Sequence, residues 1–144
     1  MSYFKKIKIF TIIIHSFIIL GVGHGIGIMG IMDIASIPNL IDGYGFTLKG
    51  EFNDKIVSIG LISLIGKTLL IVSLFLKHEL RKRVFEIIGI ILLWISVYFL
   101  TSGNWSDNSV YEIAFWTSVP FLISSLNLAF LIIGKTIRTE LNEK

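Results

Sequence analysis

Lys67 stands inside Ile56 to Leu76, a stretch that holds no other Asp, Glu, Lys or Arg, and Glu86 is the lone charge of Val84 to Thr101. A cation near the centre of a bilayer costs about 3 kcal/mol on insertion scales, so it has to face protein or water rather than lipid. Counting from the basic end at about 1.5 Å per helical residue puts Lys67 about 13 Å deep, His15 and Asn127 about 10 Å and Glu86 about 4 Å. Ser63 lies one turn from Lys67 on the same face. The expectation is an intramembrane polar cluster of Lys67, His15, Glu86, Asn127 and Ser63, in which Lys67 reaches Glu86 through Asn127 or water. Its chemistry has two readings: a structurally paired or snorkelling lysine, or a contact for an anion, a lipid headgroup or a substrate.

Gly25-Ile26-Gly27-Ile28-Met29-Gly30 followed by Asp33 has the spacing of a dinucleotide-binding turn. That chemistry needs a preceding strand and a helix N-terminus facing water, and an apolar segment predicts neither. The spacings Gly21-x-x-x-Gly25 and Gly23-x-x-x-Gly27 predict instead a bare helix face that a second helix approaches closely, within the bundle or in a homodimer. His24 sits among these glycines as a packing or ligand histidine. It lies nine residues from His15, or about 900° on a straight helix, so the two imidazoles point to opposite faces and cannot share a metal or haem.

With no cysteine in the chain, thiolate metal sites, redox pairs and disulfides are excluded. The sequence also has no His-Glu-x-x-His zinc motif and no Ser-His-acid constellation. It therefore predicts no catalytic residue, no metal, no cofactor and no enzyme.

The elements that must carry these residues are transmembrane helices. Of the 144 residues 53% are hydrophobic and 16% charged, against roughly 25% charged in a soluble domain, and the mean hydropathy is +0.81. So large an apolar excess exceeds what a soluble core of this size can hide, which argues against disorder and nucleic-acid binding. Four stretches reach the roughly 20 residues a helical span requires, at about 9–32, 56–76, 84–101 and 113–134. Each reads as apolar on all faces. Pro120 predicts a kink in the last, with Thr117 and Ser118 satisfying the freed carbonyls.

Lys5, Lys6, Lys8, Lys77, Arg81, Lys82, Arg83, Lys135, Arg138 and Lys144 fall on one side of these spans. The segments Asp33–Lys55 and Ser102–Glu112, read as outer loops, carry only Lys49 and Lys55 among basic residues. The positive-inside rule then puts both termini in the cytoplasm. The chain thus reads as one all-α, four-span integral membrane bundle over residues 1–144, multi-pass in a plasma membrane and, from its isoleucine preference, a bacterial inner one.

Three functional readings follow. The first is a non-enzymatic accessory or assembly subunit, in contact with lipid and associating with itself or another membrane protein through the glycine face. The second is a small carrier or channel for an anion or proton around Lys67. The third is a haem- or quinone-linked subunit using His24 or His15.

Overall fold

The computed structural model describes residues 2–22, 25–43, 45–103 and 109–142, without the side chains of Val22 and of residues 136–142. Five helices run in chain order with one hairpin between the first two: α1 (Tyr3–Ser16), β1 (Ile19–Val22), β2 (Gly25–Ile28), α2 (Met29–Ile41), α3 (Phe52–Phe75), α4 (Glu79–Thr101) and α5 (Ser109–Asn142). Three helical segments, Phe52–Phe75, Glu79–Thr101 and Ser109–Lys135, are long and apolar enough to cross a membrane.

The segment expected as a helical span over 9–32, with tilt or a local break near Gly23 to Gly27 where alternating glycines loosen it, is broken more extensively than that. α1 ends at Ser16, the antiparallel strands β1 and β2 pair Ile19 with Ile28 through Val22 with Gly25, and α2 begins at Met29. Four glycines at every second position explain this. Each costs about 1 kcal/mol in a helix interior, whereas alternation with Ile, Val and Leu matches the two-residue period of a strand. The strand pairing satisfies the hairpin's inner backbone groups, the Met29 amide donates to the Ile18 carbonyl (2.9 Å), and the Ile19 amide donates to Thr117 Oγ1 (3.1 Å). Irregular backbone at membrane depth is tolerated only with such protein partners.

α1 and α2 follow one another along α3. Lys8 meets Ser73 and His15 meets Ser63, while α2 continues with Asp33 at Lys67 and Met32 and Ser36 beside Gly60. α2 thereby takes up much of the expected outer loop, and both ends of that loop are buried: Asp33 in α2 and Lys55 in the first turn of α3. Glu51 and Asp54 start α3 with a reciprocal capping box, which satisfies two amides that have no intrahelical partner.

The helices are not apolar on all faces. Their outward surfaces carry Ile, Leu and Phe, among them Ile65, Ile87, Ile91, Ile123 and Phe130, while the buried faces hold Ser, Lys, Glu and His beside the core hydrophobics. On α4 the inward stripe is Glu86, Gly89, Leu93 and Ser96, at the spacing of one helix face. This inversion suits a chain whose surroundings are lipid and whose helices associate through small and polar residues.

The close helix approaches lie elsewhere than the glycine run predicts. A Cβ on Gly89 would stand 3.0 Å from the Gly66 carbonyl oxygen, and one on Gly60 2.8 Å from that of Met32. These glycines bring α3 against α4 and α2. Gly21, Gly25 and Gly27 lie in strands, where Gly21 abuts Val110 of α5, and Gly23 and His24 lie outside the described residues.

Candidate functional site

Lys8, Thr11 and His15 fall at i, i+3 and i+7 and so form one face of α1, which is fully buried. Each meets a different layer of the bundle. Lys8 Nζ pairs with the Glu86 carboxylate and donates to Ser73 Oγ at 2.8 Å. One turn on, Thr11 Oγ1 and Ser124 Oγ share a hydrogen bond of 2.7 Å. A further turn on, His15 Nε2 lies 3.0 Å from Ser96 Oγ, with Ser63 Oγ at 3.5 Å from Nδ1, and the ring meets Phe121 edge-on.

Lys67 belongs to the His15 level but pairs with Asp33 of α2 rather than with Glu86. Its long side chain turns toward the half-helix beyond the hairpin, and Lys8 has taken the carboxylate expected for it. Asp33 is almost wholly buried; Oδ2 accepts from Lys67, while Oδ1 has no hydrogen-bond partner among the described residues. An orphaned carboxylate oxygen inside a protein marks a place for a proton, a water or an ion.

Of the five residues expected to cluster, His15 and Ser63 adjoin Lys67's level and Glu86 belongs to the layer of Lys8. Asn127 joins neither. It is exposed on α5 and lines an outward groove with Tyr3, Phe10 and Pro120, because the inward face at that level is taken by Ser124, Ser125 and Leu128. Thr117 and Ser118 donate to the carbonyls of Ile113 and Phe115, not to that of Trp116, the carbonyl Pro120 leaves without its usual donor. Trp94 donates to Ser125 at 2.8 Å.

Sequence reasoning treated Lys8, Asp33 and Lys55 as topology markers, yet all three are buried. Lys55 donates to the Ser102 carbonyl at 3.1 Å and lies over the Tyr111 ring. The heptad-like spacing of Lys8 with Thr11 and His15 was a readable signal; for Asp33 there was none, since its burial follows from the break before α2. The glycine run does include a strand, contrary to expectation, but its partner is an antiparallel hairpin strand, so no nucleotide-binding crossover forms. Among the described residues no group of three His, Cys, Asp or Glu side chains is placed to hold a metal ion.

Apolar outer faces, three helices of spanning length and polar groups buried beside the apolar core are compatible with one class, the small helical membrane protein. No family model, curated protein or solved structure matches the chain.

Proposed function

We propose that this chain is a four-crossing integral membrane protein that carries protons, with Asp33, Lys67 and His15 as its central exchange site. The observation that carries this reading is the buried Asp33 Oδ1, which lacks a partner among the described residues while Oδ2 is held by Lys67. α1 alone is 14 residues, about 21 Å and too short for a core of roughly 30 Å, whereas α1 and α2 together are long enough to supply the fourth crossing. The positive-inside rule then places both termini in the cytoplasm. A crossing interrupted at the depth of ionisable groups is a recurrent design of transport sites.

A proton suits these groups better than an anion does. Both central lysines already have a carboxylate, so little positive charge remains to hold an anion, while the orphaned Asp33 oxygen can accept a proton. Between Asp33 and the layer of Glu86, His15 and Thr11 on one face of α1 and Ser124 of α5 offer exchangeable groups. Self-association through a glycine helix face loses that face, because Gly21, Gly25 and Gly27 are strand residues.

The test is proton flux into liposomes holding a pH-sensitive dye, driven by a potassium diffusion potential. Wild-type protein should acidify the lumen faster than protein-free liposomes, and Asp33→Asn and Lys67→Met should return the rate to background. Wild-type flux no greater than the background, or full flux in both variants, would sink the reading.

A further inference from the structure

We infer that the outward face of α5 joins two copies of this chain side by side in the membrane, with each copy's Asn127 amide hydrogen-bonded to the other's. Asn127 is exposed on α5 and makes no hydrogen bond among the described residues. Its level is about 10 Å from the basic end of the span, farther than so short a side chain reaches toward the headgroups. Thr68, exposed on α3, meets its need within its own helix by donating to the Leu64 carbonyl at 2.8 Å. Asn127 has no such arrangement, and an amide that faces hydrocarbon without partners is costly. It calls for a polar group at its own depth, where lipid offers only acyl chain.

A second copy supplies that group without a further coincidence. Two chains inserted in the same sense are related by a twofold axis along the membrane normal, which brings every residue of such an interface back at its own depth. An amide both donates and accepts, so two of them complete each other. The face around Asn127 has the pattern of a helix pair: Trp116, Pro120, Ile123, Asn127 and Phe130 are all exposed and follow at alternating steps of four and three, the repeat that keeps one seam against a facing helix. That seam is about 21 Å long. None of its residues is charged, so the copies meet without repulsion. Pro120, Ile123 and Asn127 also edge a groove of about 440 Å³ between α5 and α1, a hole for side chains of the facing helix to enter. This interface requires only that α5 spans a membrane, and lies apart from Asp33 and Lys67.

The chain has no cysteine, so a single introduced one reports alone. With a dye at Lys49→Cys, on an exposed position, counting of photobleaching steps in phosphatidylcholine liposomes over a range of protein-to-lipid ratios gives the monomer–dimer equilibrium of the full chain. The purified protein should dimerise with no other chain present. Asn127→Leu, on an outward surface where the fold does not depend on it, should weaken the dimer by roughly three- to thirtyfold, and Asn127→Gln, which pairs in the same way, should recover most of the loss. In unlabelled protein, iodine oxidation should cross-link Phe130→Cys on the seam well ahead of Phe75→Cys, which is exposed at the end of α3. None of these readouts involves proton flux. A chain that stays monomeric at the highest density, an Asn127→Leu dimer as tight as the wild type, no recovery with Gln, or equal cross-linking at the two cysteines would each overturn the interface.

Discussion

Lys8–Glu86 and Lys67–Asp33 are both buried lysine–carboxylate pairs in one bundle, but they are finished differently. At Lys8 the ammonium also donates to Ser73, and both side chains are within 2% of complete burial. At Lys67 the partner comes from the first turns of a half-helix behind a hairpin, a little surface remains, and Asp33 Oδ1 is orphaned. The first pair ties three continuous elements together, whereas the second joins α3 to a segment attached through an irregular one. The contrast is between a pair reinforced by a second hydrogen bond and a pair that leaves a carboxylate oxygen orphaned, the feature on which the proposed exchange site rests.

The largest effect should come from breaking the reinforced pair. Glu86→Gln leaves Lys8 charged and enclosed, and should lower stability in detergent micelles by about 3–5 kcal/mol, while Lys8→Met/Glu86→Leu recovers most of the loss. A cost below about 1 kcal/mol for the single change would mean that the pair contributes little. Asp33→Asn should cost less, about 1–3 kcal/mol, because it removes a carboxylate already half satisfied and Lys67 retains some access to the surface. Equal losses at the two levels would erase the distinction drawn between them.

Gly89 stands between the levels of Glu86 and Ser96 on the inward stripe of α4. Gly89→Ala should cost about 1–3 kcal/mol by forcing α3 and α4 apart. Gly134→Ala on α5, where an added Cβ meets nothing within 4 Å, should instead stabilise the helix by up to about 1 kcal/mol. Thermal unfolding of the two variants side by side checks this, and similar losses would show that the glycines act through the helix backbone rather than through packing. Trp94→Phe, which removes the Ser125 hydrogen bond outside both layers and part of the ring, should lower stability by about 0.5–1.5 kcal/mol.

Three of the helical segments were legible because uninterrupted hydrophobicity has one stable outcome in lipid; α3, α4 and α5 cover nearly all of the expected spans, starting four or five residues earlier, and α5 continues to Asn142. The first was misread where two periods compete: Gly21, Gly23, Gly25 and Gly27 satisfy the four-residue spacing of a helix face and the two-residue alternation of a strand. The loosening by alternating glycines pointed to tilt or a local break near Gly23 to Gly27, but not to a strand pair. The candidate site was legible as residue types more than as pairs. Lys67, Glu86, His15 and Ser63 stood out because charge and polarity are conspicuous in an apolar run, but depth counting could not choose between carboxylates.

By itself the sequence determined that the chain is helical, lipid-embedded in character and in need of internal partners for Lys67 and Glu86. It did so because hydrophobic length and the cost of a buried charge are local quantities. Only the tertiary structure decided that Lys8 takes Glu86, that Asp33 leaves its expected loop to meet Lys67, and that Asn127 turns outward. Those outcomes depend on where the broken first segment lies against α3, α4 and α5, and no spacing within a single helix encodes the rotation and height of its neighbours.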